Sequence, residues 1–282
     1  MAAKIKVIKT VAAMQSWSEA QKRAGRSVGC VPTMGYLHDG HVALIRECAK
    51  LSDRVVMTLF VNPAQFGPRE DLARYPRDFE GDCKKAAAGG AHAVFYPSVS
   101  EMYPEGYQTY VTVEEVTRDL EGAFRPIHFR GVATVCAKLF NAVRPTVAVF
   151  GEKDYQQLKT VERMARDLNL GLRIIGLPTV REPDGLAMSS RNVYLSADER
   201  RRALSISRAL FAARDAVKNG EDRPYVLAKR ALKTIAAEGL IPDYVEVRDA
   251  ETLAPIKKIA AAARMLIAAR VGKTRLIDNV AL

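Results

Sequence analysis

Short apolar, β-branched runs alternate with helical patterns through the first two-thirds of the 282-residue chain. The runs are nearly continuous in apolar side chains, and the pattern changes near Pro178. These observations predict an α/β fold. A doubly wound, Rossmann-like parallel sheet is expected over residues 1–179, then a smaller α+β domain over 180–282 that closes over the active site. The length agrees, since ~150 residues per domain gives about two domains.

The predicted strands are 28–31, 54–61, 93–96, 147–150 and 172–175. Between them the apolar period predicts helices over 41–50, 79–88, 132–143 and 156–168. Beyond the boundary at 178–183, Ser196 and Glu199 are spaced as a capping box. A long Ala/Arg/Leu helix follows to about Lys218, and Asn219-Gly220 supplies its stop. A helix over 225–238 then precedes strands at 244–247, 265–269 and 276–278.

Apolar residues make up 48% and charged residues 27%, which is ordinary globular chemistry and excludes disorder as the main state. With 43 Lys+Arg against 32 Asp+Glu, the formal charge of +11 favours anionic partners or a solvated basic surface. No run approaches the ~18–20 apolar residues of a membrane span. The N-terminus has no signal-peptide pattern. The four cysteines, Cys30, Cys48, Cys83 and Cys136, form no C-x-x-C pair. They read as reduced thiols of a cytoplasmic protein rather than a zinc site.

Four motifs carry chemistry. P-T-M-G-Y-L-H-D-G-H, residues 32–41, follows a strand and opens a helix. Such a turn exposes amides and the positive end of the helix dipole to an anion, and His38 and His41 add donors. The plainer alternative is one capping and one solvated imidazole. F-V-N-P-A-Q-F-G, residues 60–67, lies at a strand's carboxyl edge, where the amides of Asn62 and Gln65 suit hydroxyl or carboxylate oxygens. An Asx-turn loop accounts for the same residues. F-G-E-K-D-Y-Q-Q, residues 150–157, again leads from a strand end into a helix. Lys153 suits phosphate or ribose there, and Asp154 a hydroxyl or a helix cap. V-R-E-P-D-G-L-A-M-S-S-R-N, residues 180–192, offers Ser189, Ser190 and Arg191 as a mobile phosphate clamp. R-P-I-H-F-R-G, residues 125–131, is either a fifth contact segment or a basic loop with one structural histidine. No G-x-G-x-x-G follows an early strand, and Gly272-Lys273-Thr274 lacks the rest of a P-loop.

Taken in order, these motifs and T-R-L-I-D-N at 274–279 resemble the pantothenate synthetase (pantoate–β-alanine ligase) family, of the HIGH-type nucleotidyltransferase superfamily. The resemblance covers most of residues 32–192. It implies that ATP, with Mg2+, and pantoate give pantoyl adenylate and pyrophosphate. β-Alanine then displaces AMP to give pantothenate. It further implies ATP contacts from Met34, Gly35, Tyr36, Leu37, His38, Asp39, Gly40 and His41, with His41 as the acid. Gly151, Glu152, Lys153, Asp154 and Val180 would hold ATP's adenosine end, Lys153 reaching the phosphates. Met188, Ser189, Ser190 and Arg191 would close over the triphosphate. Gln65 and Gln157 would hold pantoate, with Asn62, Arg125 and His128 nearby, and Asp82 would reach the metal through water. A homodimer is also implied. Two other classes compete: a nucleotidyltransferase that stops at the nucleotidyl product, and an RNA-binding module suggested by the positive charge.

Overall fold

Val28, Cys30 and Val31 are fully buried in the second strand of the computed structural model, which describes residues 5–68, 70 and 72–282. Two compact units divide the chain: Met1–Glu152 with Thr160–Pro178, and Lys153–Lys159 with Thr179–Leu282. Among the described residues, no helix is long and apolar enough to cross a membrane.

The first unit runs β1 (Lys6–Ile8), α1 (Val11–Arg23), β2 (Val28–Thr33), α2 (Asp39–Leu51), β3 (Arg54–Leu59), α3 (Phe79–Gly89), β4 (Ala93–Phe95), α4 (Val99–Met102), α5 (Glu121–Phe124), α6 (His128–Val143), β5 (Val147–Gly151), α7 (Tyr155–Asp167) and β6 (Arg173–Leu177). The first turn of α7 belongs to the second unit. The strands form a six-stranded sheet in the order β1-β4-β3-β2-β5-β6, and every neighbouring pair is parallel. Strand order therefore reverses between β2 and β5. In open α/β sheets, ligands bind beyond the carboxyl ends of the strands at such a reversal.

The five predicted strands fall on β2 to β6. The first pair of elements, β1 and α1, is additional. Only Ile8 is buried in β1, and α1 buries just Met14 and Ser18, so the apolar period there is faint. The strand predicted to reach Val61 ends at Leu59, because the chain turns at Asn62-Pro63. The helix predicted from Val132 starts at His128, with Gly131 inside it rather than before it. A Cβ on Gly131 would lie 2.4 Å from the Ala64 carbonyl oxygen and 2.5 Å from Gln65 Cα. Glycine here permits α6 to approach the 62–65 backbone closely.

The second unit contains α8 (Ala197–Lys218), α9 (Pro224–Ala237) and the antiparallel sheet β7 (Ile241–Asp249), β8 (Ala263–Val271), β9 (Thr274–Ala281), in that order. The Ser196–Glu199 capping box forms in both directions, at 3.2 and 2.9 Å. One core joins Leu210 of α8, Ile235 of α9, and Met265 and Ile267 of β8. Each such side chain contributes about 1.5–3 kcal/mol by burial. Gly272-Lys273-Thr274 lies at the β8–β9 hairpin, where Val271 pairs with Thr274. A strand pattern, not a P-loop helix, follows it.

Candidate active site

The turn after β2 is built by a carboxylate from another helix. Gly35 and Tyr36 both adopt positive φ, +90° and +52°. Asp82 of α3 accepts from the Tyr36 amide at 2.8 Å and the Leu37 amide at 2.7 Å, while Lys85 Nζ donates to the Leu37 carbonyl at 2.6 Å. Burial pushes the Asp82 carboxyl above its ordinary range, with the two amides pulling the other way. Asp82 is 1% exposed, and both its oxygens engage the turn. It anchors the turn, a role the sequence reading did not give it beside the water-mediated metal contact that the resemblance implies. Among the described residues, no group of three or more His, Cys, Asp or Glu side chains could hold a metal ion.

His38 caps α2, and the two imidazoles interlock. Gly40 N–H donates to His38 Nδ1 and His38 N–H donates to His41 Nδ1, both at 3.2 Å. The ring centroids are 4.0 Å apart. A ring nitrogen that accepts carries no proton, so each neutral imidazole carries its proton on Nε2. The capping half of the plainer alternative holds for His38, while His41 completes the capping box by accepting from the His38 backbone. The sequence expectation of exposed amides is also changed. The amides of Tyr36, Leu37, His38, Gly40 and His41 all bond within the protein. What the turn offers an anion is the helix dipole and imidazole N–H groups. Asp39 opens the helix as its first residue.

Beyond β3, Asn62 and Gln65 form one oriented pair. Asn62 Oδ1 accepts from the Ala64 amide at 3.3 Å and the Tyr103 hydroxyl at 2.8 Å. Its Nδ2 donates to the Gly131 carbonyl at 3.0 Å and to Gln65 Oε1 at 3.1 Å. Backbone donor and acceptor fix the Asn62 amide, which in turn fixes Gln65: Oε1 is engaged and Nε2 faces Met34 Sδ at 3.1 Å. Gln65 therefore presents N–H donors. Asn62 thus orients Gln65.

Arg125 and His128 join a local network. Arg125 makes a bidentate pair with Glu70, at 2.9 and 2.7 Å. His128 Nδ1 donates to the Gln65 carbonyl at 3.0 Å, leaving Nε2 to accept from Arg125 Nη1 at 3.2 Å. Burial, then the Arg125 charge, lowers the His128 pKa to about 4. Burial works to raise the Glu70 carboxyl, but its bonds and charge contact with Arg125 bring it below its ordinary value. The structural-histidine alternative describes this segment: its polar atoms brace the Gln65 backbone.

β5 runs parallel beside β2 and ends at Gly151, with Glu152 next along the chain. In the second unit, Lys153 lies in the short turn before α7, with Nζ 3.8 Å from Asp154, and Gln157 is half-buried on α7. The 180–188 segment is a tight hairpin: Met188 N–H donates to the Val180 carbonyl at 3.0 Å, and Arg181 bridges Ala187. Ser189 caps a 3-10 turn, Ser190–Tyr194, by accepting from Arg191 N–H at 3.2 Å. Asn192 Nδ2 holds this turn to Glu182 at 2.9 Å and to the Ala187 carbonyl at 3.1 Å. The segment expected to be a mobile clamp is thus tied to its own hairpin. The sequence reading missed Arg181, which makes a bidentate pair with Asp278 at 2.6 and 2.9 Å. It also missed Asn279, whose Nδ2 donates to the Lys153 carbonyl at 2.9 Å. The 274–279 motif was visible, but no local pattern gives the partners of its last two residues.

The family model described as Pantoate-beta-alanine ligase matches residues 6–281. A pantothenate synthetase of Myxococcus xanthus is 55% identical over 98% of this chain and 96% of its own. One from Moorella thermoacetica is 53% identical over 99% of both. Among solved structures, pantothenate synthetase from Thermus thermophilus superposes with a TM-score of 0.92 at 46% identity, covering 98% of this chain and 99% of that one. A pantoate-beta-alanine ligase from Francisella tularensis, complexed with beta-gamma ATP and beta-alanine, gives 0.80 at 30% identity, covering 98% and 97%.

Proposed function

The chain belongs to the pantoate–β-alanine ligase family, and on that premise we propose that it makes pantothenate from pantoate, β-alanine and ATP through a pantoyl adenylate. The pantoate carboxylate attacks the α-phosphorus of ATP, forming the acyl–phosphate anhydride as pyrophosphate leaves. The β-alanine amine then attacks the acyl carbon, and AMP leaves. The observation that carries this reading is the pair of Nε2-protonated imidazoles, His38 and His41, at the carboxyl end of β2, where strand order reverses.

In this reading the imidazole N–H groups follow charge as it develops on the phosphates, and His41, the acid of the resemblance, donates a hydrogen bond from Nε2 to the departing pyrophosphate. Lys153, Ser189, Ser190 and Arg191 add donors and positive charge to the triphosphate. Losing one such donor typically costs ~10²–10³ in rate. Gly151, Glu152, Asp154 and Val180 contact adenosine. Gln65, held as a donor, takes an acceptor oxygen of pantoate, and Gln157 takes another. The carboxylate attacks already ionised, so positioning dominates the first step. For the second, the amine loses its proton to solvent or to the adenylate phosphate. Mg2+ enters on the triphosphate as part of the substrate, and no protein step is routed through it. The working form is a homodimer in the cytoplasm, which sedimentation equilibrium and fractionation test.

The decisive experiment is pantoate-dependent exchange of labelled pyrophosphate into ATP, with Mg2+ and without β-alanine. Exchange is expected. Folded protein that binds ATP yet gives no exchange would overturn a reversible adenylate step.

A further inference from the structure

Asp278 and Asn279 are consecutive on β9, 5% and 3% exposed, and each ties down a different distant segment of the second unit. The Asn279 amide has no orientational freedom. Its Oδ1 accepts from Arg264 Nη1 at 2.6 Å, and its Nδ2 donates to the Lys153 carbonyl at 2.9 Å. A guanidinium only donates and a carbonyl only accepts, so the amide cannot be reversed. Arg264 in turn stacks on Tyr155, 3.7 Å from the ring centroid, and Tyr155 donates to the Ala250 carbonyl at 2.7 Å. The turn bearing Lys153 is thus held at its own carbonyl and again two residues later.

Asp278 holds the other segment. Besides its two bonds to Asp278, Arg181 donates from Nη1 to the Gly185 carbonyl at 3.1 Å and stacks over Phe211 at 4.8 Å. Gly185 lies in the hairpin turn, so the one guanidinium grips both the ascending arm and the turn of residues 180–188. Asp278 Oδ1 also accepts from the Asn279 backbone N–H at 2.7 Å, which links the two anchors directly. A buried ion pair is weak evidence for stability, since well-packed apolar residues often serve that purpose as well or better. What it does here is tie the 181–185 hairpin to β9, which points to a positional role.

We propose that Asp278 and Asn279 are positioning residues that fix the Lys153 turn and the 180–191 arm to one strand, and so set the register of two phosphate-contacting segments together. This rests on the phosphate roles given to Lys153 and Arg191 above. Those roles have their own controls: Lys153→Ala and Arg191→Ala are each expected to lower pyrophosphate exchange by about 10²-fold. Unchanged exchange in either would remove that residue's phosphate role and, with it, the corresponding anchor's function.

The test of the anchors is Asn279→Asp. It preserves shape and the acceptor for Arg264, but puts an acceptor against the Lys153 carbonyl. The KM for ATP is expected to rise about tenfold, with the KM values for pantoate and β-alanine within twofold of the parent and the thermal midpoint lowered by the buried mismatch. On the Lys153→Ala background the same change is expected to alter exchange by less than twofold, because residues acting as a unit are not additive. Asp278→Asn is read the same way against Arg191→Ala, so either anchor variant that folds decides the matter. Equal changes in all three KM values, no change in the KM for ATP, or a full multiplicative loss on the alanine background would each overturn the proposal.

Discussion

His128 is neutral in the fold at ordinary pH because burial and the facing Arg125 hold its pKa at about 4, against 6.5 for the free side chain. As pH falls through 6.5, the unfolded chain takes the proton first. Stability is therefore present above 6.5, declines as pH falls, and the loss is complete below about 4, amounting to about 3 kcal/mol. Glu70, whose carboxyl also lies below its ordinary value, adds loss of the same sign at the acid end. Between pH 7.5 and 4.5, urea unfolding of His128→Asn is expected to show about 2–3 kcal/mol less destabilisation than the parent. An identical acid slope in the two proteins would contradict this account. Asp82 makes a second prediction at this scale. Asp82→Asn turns one of two acceptors into a donor facing an amide, at a cost of about 1–3 kcal/mol. The KM for ATP should rise with it, while half-saturation by Mg2+ stays put; a shifted Mg2+ dependence would instead support the metal contact.

The contact between α6 and the 62–65 turn is set by the backbone. The atoms that a Gly131 side chain would meet are the Ala64 carbonyl and Gln65 Cα, neither of which can swing aside. Gly131→Ala is expected to destabilise by at least about 1–3 kcal/mol and to raise the KM for pantoate more than that for ATP. Equal effects on both substrates would argue against Gln65 as the affected group. This element also marks how far the sequence could be read. Strands β2 to β6, the long helix α8 and its capping box were legible, because apolar period and cap spacing are local signals. The amphipathic stripe of α1 was too sparse to read, and Gly131 was placed in the segment before the helix because its reason lies 67 positions upstream at Ala64. The site behaves likewise. The motif residues were visible, but Asn62 and Gln65 look alike in sequence. Only the distant Tyr103 and Gly131 reveal which one positions and which one presents donors. That Asp82 anchors the turn after β2 was not legible, since its partners, Tyr36 and Leu37, lie 46 and 45 positions away.

Across the whole molecule, the cysteines report on how the first unit opens. Cys30, Cys48 and Cys136 are buried and Cys83 is half-buried, and all four are free thiols. Burial raises Cys48 to about 11 and Cys136 to about 12, and takes Cys30 well above its ordinary value. A thiol-specific disulfide reagent is expected to find one prompt group in native protein and four in denaturant. Prompt reaction of more than one would mean that the sheet opens far more readily than its burial implies. The strand order has a further, kinetic meaning. β2 and β3 join across a short connection, with Ser27 and Asp53 only 26 positions apart. Joining β2 to β5 brings Val28 and Thr146 together across 118 positions. Chain entropy makes that distant closure the slow one, and parallel pairing gives it no local shortcut. Truncating Val147, which pairs with Gly29, should therefore slow refolding in proportion to the stability it removes. The late seam is also where the histidine-bearing turn leaves β2, so a newly made chain gains its reactive edge only as its slowest closure is completed.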